Sequence, residues 1–235
     1  MFSCQIIAQF MGSNGYALRP TLWFSLRVAF SAMVLAGLIA VPVAYFMARR
    51  RFRGKSVVEA VVTVPLVLPP TVVGFGLLVV LGKNGLGALV AWWSGGREAI
   101  LFTPMAAVIA ALVVALPLVY LPAKAAFAGV ERELEDVARL QGAGPLGIFW
   151  HVSLPLARRG LAAGLLLGFA RALGEFGATL MVLGDIPGRT TLPISLYDAT
   201  TGNDQGQALG AVVALSVISL TVAFIYNRMP LSRQD

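Results

Sequence analysis

Between Arg27 and Arg49 the chain carries no charged side chain, and that apolar run is the strictest constraint on its fold. A hydrocarbon core about 30 Å thick is crossed by roughly 20 apolar residues in helical form. Five such segments can be drawn, near 26–48, 58–82, 104–126, 160–183 and 207–226. Their long apolar runs favour helices over the alternating pattern of barrel strands. Composition agrees, because the 235 residues are 58% hydrophobic and 12% charged, whereas soluble domains carry about 25% charged residues. The expected fold is an all-α integral membrane protein of about five transmembrane helices.

Lysine and arginine fall unevenly around these segments. Arg49, Arg50, Arg51, Arg53 and Lys55 follow the first, Lys124 ends the third, and Arg132, Arg139, Arg158, Arg159, Arg228 and Arg233 fall on the same side. The other side holds Arg19, Lys83, Arg97 and Arg189. The positive-inside rule then places the N-terminus outside, the polar residues 131–155 in the cytoplasm and the C-terminus inside. The net charge of +7 is accounted for by topology and lipid headgroups, so no nucleic-acid partner is expected. Residues 1–25 are read as an external or interfacial tail without the pattern of a signal peptide, 26–226 as the membrane domain, and 227–235 as a cytoplasmic tail. The single cysteine, Cys4, can form no internal disulfide.

Proline and glycine mark the places where helices depart from regularity. Pro65, Pro69 and Pro70 sit in the second segment and Pro117 and Pro122 in the third. Each removes a backbone donor, so bends are expected there. Arg171 and Glu175 form the strongly charged pair of the fourth segment. Charge is costly in lipid, and their i, i+4 spacing lets them neutralise each other while facing the bundle interior or a cavity. Arg27 is expected to snorkel, and Trp92 and Trp93 read as an interfacial belt. The stretch from Leu86 to Ala91 is too short to span. The segment Gly184–Gly206, with Asp185, Arg189, Asp198 and Asp204, reads as an outer loop.

One polar island, residues 131–155, interrupts the apolar pattern. Val130, Leu134, Val137 and Ala138 give a helical face, and Glu131, Glu133, Glu135 and Asp136 load the first turns with acid, as the helix dipole favours. Gly142 suits a left-handed stop and Pro145 a helix start. A second short helix is expected from Pro145 to about His151, broken by Leu154-Pro155. The result is a cytoplasmic helix-turn-helix shaped to dock.

Asp136-Val-Ala138, Gly142 and Val152-Ser-Leu-Pro155 resemble the EAA loop of importer-type ABC-transporter permeases, with Asp for Glu, Val for Ala and Val for Ile as departures. Val64–Gly74, Arg171–Leu180, Asp185–Thr190 and Leu192-Pro193 are similar to the molybdate and sulfate permease group. The compact length and the Leu81–Gly85 turn are closer to its molybdate members. That resemblance implies a second copy of the permease, two ATP-binding subunits gripping the loop, and an extracytoplasmic oxyanion-binding protein. It also implies ATPase coupling through Glu135, Asp136, Val137, Ala138, Arg139, Gly142, Ala143, Gly144, Pro145, Leu154 and Pro155. Pro69, Pro70, Thr71, Arg171 and Glu175 are candidates for the pathway or the subunit interface.

Catalysis finds little support in the sequence. The chain has one histidine, His151, and no GxxxxGK[ST] loop, so no cofactor is expected here, and ATP and Mg would be bound by a partner. His151 reads as a docking contact. The main rival is a stand-alone secondary transporter or channel, which would normally show an inverted repeat, broken helices at matching positions or several mid-membrane titratable groups.

Overall fold

The computed structural model describes residues 18–82, 85, 87, 88, 100–184 and 190–229. The described elements are helices in the order α1 (Leu18–Arg49), α2 (Lys55–Val67), α3 (Pro70–Leu81), α4 (Pro104–Ala128), α5 (Arg132–Leu140), α6 (Pro145–Ile148), a π-turn (Phe149–Ser153), α7 (Leu154–Leu173), α8 (Gly177–Leu183), α9 (Leu192–Thr201) and α10 (Gln205–Arg228). Helices α1, α4, α6–α7 and α10 are long and apolar enough to cross a membrane, and the bent pair α2–α3 makes a fifth candidate span. Cys4, Lys83, Trp92, Trp93, Arg97, Asp185, Arg189, Arg233 and, apart from 87 and 88, the stretch 86–91 lie outside the described residues.

The centre of the bundle is a seam of small side chains. On α1 the buried positions Ala29, Ala32, Ala36, Ala40 and Ala44 recur at helical spacing, and α4 answers with Ala107, Ala111, Ala115 and Ala123. Helix α7 presents glycines to the same neighbour. A Cβ placed on Gly160 would lie 2.5 Å from the Ala126 Cβ, on Gly164 3.0 Å from the Val119 carbonyl oxygen, and on Gly168 2.5 Å from Val119 Cγ2. Lipid tails are as apolar as leucine, so helices in a membrane associate through close packing, which small residues permit.

Several drawn segments differ from these helices, each for a local reason. Helix α1 begins at Leu18 rather than near residue 26, because Pro20 lies in its first turn, where a missing N–H costs little. Arg27 is exposed with its guanidinium 5.6 Å from the Trp23 ring centroid. The second segment is two helices bent by 116°; Leu68, extended at φ −72° and ψ 142°, precedes a proline, which disfavours the α region. Helix α4, by contrast, continues through Pro117 and Pro122. The fourth segment is not one helix either, since α7 stops at Leu173 and α8 starts at Gly177. Within the expected outer loop lies α9, which buries Leu192, Ile194, Ser195 and Ala199, and Asp204 caps α10 by accepting the Gln207 N–H at 3.1 Å.

Gly164→Leu should force α7 off the Val119 backbone and cost about 1–3 kcal/mol of stability, as overpacking does. Thermal unfolding in detergent checks this; an unchanged midpoint would mean that the seam does not set the helix separation.

Candidate functional site

The island between α4 and α7 folds as a helix-turn-helix whose turn is dictated by Gly142. Its φ of +87° is a left-handed conformation that glycine adopts without steric cost. Gly142 N–H donates to the Arg139 carbonyl at 2.9 Å and Ala143 N–H to the Ala138 carbonyl at 3.0 Å. These two bonds form a Schellman motif and satisfy carbonyls that the end of α5 would leave orphaned. Gly144 then precedes Pro145, the first residue of α6.

The second arm is anchored in the bundle. Ile148 is buried, and Phe149 packs against Tyr45 of α1 with ring centroids 5.0 Å apart and against Phe127 of α4 at 6.1 Å. Leu154-Pro155 does not break the chain as expected. The π-turn Phe149–Ser153 leads directly into α7, and its wider hydrogen-bond ladder accommodates a proline that has no N–H to give.

The first arm turns a carboxylate inward. Glu135, 2% exposed, is the one buried residue of α5, so it is not the surface docking charge expected from the sequence. Its Oε1 accepts the Ser153 hydroxyl at 2.6 Å and lies 2.9 Å from Arg49 Nη2. Arg49 Nη1 donates to the Val130 carbonyl at 2.9 Å, and Arg139 Nη2 lies 3.6 Å from Glu135 Oε2. Arg139 also pairs with Asp136 on the surface. Burying charge is tolerated where it is paired and hydrogen-bonded.

The outward face is apolar. Leu134 and Val137 are exposed, Leu140 is 88% exposed and Leu146 is 76% exposed, with Trp150 beside them. A cavity of about 400 Å³ between the arms is lined by Leu134, Val137, Ala138, His151, Val152 and Pro155. His151 stays at the surface with Nδ1 3.0 Å from the Gly147 carbonyl oxygen. Exposed apolar side chains clustered this way mark an interaction surface.

A second constellation lies deeper. Ala172 and Leu173 pack with Ala111 and Ala115, close to the middle of α4. There Arg171 Nη1 meets Glu175 Oε2 at 2.6 Å, and Glu175 Oε1 accepts the Ala178 N–H at 2.9 Å. The i, i+4 pair forms as its spacing requires, and the buried carboxylate also satisfies a backbone donor at the start of α8. Against this break rests the other one. A Cβ on Gly177 would lie 3.1 Å from Pro70 Cβ and 3.3 Å from the Thr71 nitrogen, and one on Gly74 2.7 Å from Ala178 Cα. Pro70 and Thr71, at the start of α3 and just after Pro69, thus pack against Gly177, two residues beyond Glu175. Non-helical backbone at membrane depth is tolerated where protein buries it or where it lines a water-filled cavity.

Sequence reasoning missed Arg49 and Ser153, because neither has a local partner in the chain. It also passed over Glu59, which pairs with Lys124 at 2.7 Å and ties α2, a helix with no buried side chain, to α4. The signal for Glu59 was available, since Lys55 stands at i−4 and lies 4.0 Å away.

The bundle, its two helix breaks and its helix-turn-helix have the fold of ABC importer membrane subunits. A solved bacterial alginate ABC transporter, in complex with an alginate pentasaccharide-bound periplasmic protein, superposes with a TM-score of 0.73 over 96% of this chain and 81% of that chain, at 16% identity. Residues 40–230 match the family described as binding-protein-dependent transport system inner membrane component, and the chain belongs to that family. It is 40% identical over 206 residues to the molybdenum transport system permease protein ModB of Haemophilus influenzae, covering 85% of this chain and 89% of that relative. It is 38% identical over 211 residues to ModB of Escherichia coli K12, covering 86% and 91%.

Glu175→Ala should leave Arg171 without its counter-charge and the Ala178 N–H without its acceptor. Removing one partner of a buried pair costs about 3–5 kcal/mol, discounted here to about 2–3 because Arg171 is partly exposed. Equilibrium unfolding in detergent reads the change, and a loss below about 1 kcal/mol would show that the pair contributes little to stability.

Proposed function

We propose that this chain is the membrane-spanning subunit of an ABC importer for molybdate. The observation that carries the proposal is the helix-turn-helix at residues 131–155, held rigid from within by Gly142 and Glu135 and apolar on its outer face. A protein that moved its substrate unaided would have no use for such a surface, which argues against a stand-alone transporter or channel. The relatives named for molybdenum transport support the substrate class.

In this proposal two copies form the pathway, and two partner subunits bind ATP and Mg and grip Asp136, Val137, Ala138, Arg139 and the turn Gly142–Pro145. An extracytoplasmic binding protein delivers the oxyanion. The N-terminus lies outside, and the cytoplasmic side is the end where α1 and α4 finish. Arg158, Arg159 and Tyr226 line a cavity of about 910 Å³ with Val130 and Glu131 at that end, so the cationic ends of several helices share one side. Closure of the ATPase pair carries α5 and α6 inward and rocks the two copies between inward- and outward-facing states. Pro69, Pro70, Thr71 and Arg171 belong to the pathway, where the guanidinium, held by Glu175, favours passage of a dianion.

Uptake of labelled molybdate into vesicles holding the permease, its ATPase and its binding protein tests this. ATP-dependent uptake that tungstate blocks and excess sulfate does not is the expected result. Full competition by sulfate would redirect the substrate to sulfate or thiosulfate, while uptake without ATP would overturn the importer proposal. Gly142→Pro should abolish uptake, because proline fixes φ near −65° where the turn needs +87°.

Leu140→Asp provides a test of the docking face. The side chain is 88% exposed, so folding should be spared, while ATPase binding weakens by about 2 kcal/mol, roughly thirtyfold, as at an interface hot spot. Co-elution of the ATPase at graded concentrations measures it; unchanged binding would place the docking face elsewhere.

A further inference from the structure

The three helices of the seam converge on one ion pair. Arg49 is the last residue of α1, and its Nη1 donates at 2.9 Å to the carbonyl of Val130, just past the end of α4. Its Nη2 stands 2.9 Å from Oε1 of Glu135 in α5. That same oxygen accepts at 2.6 Å from Ser153, which immediately precedes α7. Arg49 is about one-tenth exposed in its side chain and Glu135 still less, while Ser153 is fully buried. Of the exposed docking residues, Arg139 also reaches this carboxylate, with Nη2 3.6 Å from Glu135 Oε2.

We infer that the Arg49–Glu135–Ser153 cluster is the transmission point through which movement of the docking helix reaches α1, α4 and α7 together. The inference rests on the proposal that α5 and α6 receive an ATPase, and it adds Arg49 and Ser153 as positioning residues, neither of which meets the transported anion. Helix α6 and the π-turn are already continuous with α7, so a push on them reaches α7 through the backbone. Helix α5 is different. Its remaining residues are exposed or half-buried, and its one buried side chain is Glu135. A displacement of α5 reaches the end of α4 through the short link 129–131 as well, but it reaches α1 through the guanidinium. Arginine suits the task because its planar guanidinium holds the Val130 hydrogen bond and the Glu135 ion pair in one fixed geometry, which a lysine ammonium on a flexible stem does not. Beyond this point the path is packed side chains, since Met47, Ala44 and Ala40 of α1 share a core with Val119, Tyr120 and Ala123 of α4 and Leu161 of α7.

The test uses the full complex in vesicles, with the permease, ATPase and binding protein, and reads three quantities in parallel: ATPase retained on the permease, ATP hydrolysed, and molybdate taken up. Arg49→Gln, Arg49→Lys and Ser153→Ala are compared with the unaltered chain. The expected result is that Arg49→Gln keeps its ATPase and hydrolyses ATP, yet molybdate moved per ATP falls by roughly two- to thirtyfold, the range seen when coupling residues are altered. Arg49→Lys should recover part of the ratio, and Ser153→Ala should fall between Arg49→Gln and the unaltered chain.

An unchanged ratio in Arg49→Gln overturns the inference. So does a parallel loss of assembly, hydrolysis and uptake at constant ratio in all three variants, which would mark the cluster as structural. Should Arg49→Gln fail to assemble, Ser153→Ala decides: it removes a single hydroxyl, and an unchanged ratio there overturns the inference. Failure of the docking proposal looks different, because the unaltered chain would then take up molybdate with no ATPase present.

Discussion

Close approach of α1, α4 and α7 along their alanine and glycine faces is the constraint on which the rest of the structure depends. No hydrophobic drive separates helix from lipid inside a bilayer, so the bundle coheres through dispersion and interlocking shape. Leucines at Gly160, Gly164 or Gly168 would occupy space already held by Ala126, Pro122 and Val119. The seam also fixes where α1 and α4 end relative to one another. That is what puts the Arg49 guanidinium within reach of both the Val130 carbonyl and Glu135. A polar contact this specific needs its two ends held in place first.

The polar groups of the bundle gather at the interruptions of its helices. Glu175 sits in the gap between α7 and α8 and accepts an α8 backbone N–H. Ser25 accepts the N–H of Leu192 at the start of α9, at 2.7 Å. Each helix start leaves donors without partners, and an unpaired donor away from water is expensive. Buried side-chain oxygens therefore do a job that water does at the surface. Arg171 neutralises the Glu175 carboxylate while its own guanidinium stays partly exposed.

Much of this was legible in the sequence, and the limits have physical causes. The apolar runs announced α1, α4 and α10, because burial in lipid demands continuous apolar sequence. Gly142 and Pro145 announced the turn, because their backbone preferences act locally. The break before α8 was hidden, since Gly174-Glu175-Phe176 lies within an apolar run and only the packing of α3 against Gly177 and Ala178 fixes its place. Helix α9 was hidden for the opposite reason: a segment rich in polar residues became helical because tertiary contacts bury Leu192 and Ile194. The inward turn of Glu135 could not be read from its own helix, where it is one acid among several. Its partner comes from the far end of α1.

The two faces of α5 explain why a charged residue and not an apolar one points inward. An apolar side chain at position 135 would pack against whatever neighbour is nearest and would tolerate sliding, because dispersion has little direction. A carboxylate between Arg49, Ser153 and Arg139 has preferred distances and angles, so it holds α5 in one register relative to α1 and α4. The apolar side chains Leu134, Val137 and Leu140 are thereby left on the outside, where burying them against a partner is favourable at about 25 cal/mol per Å². Direction within and area without are complementary demands on a nine-residue helix. Placing one carboxylate, Glu135, inward while Leu134, Val137 and Leu140 stay exposed meets both.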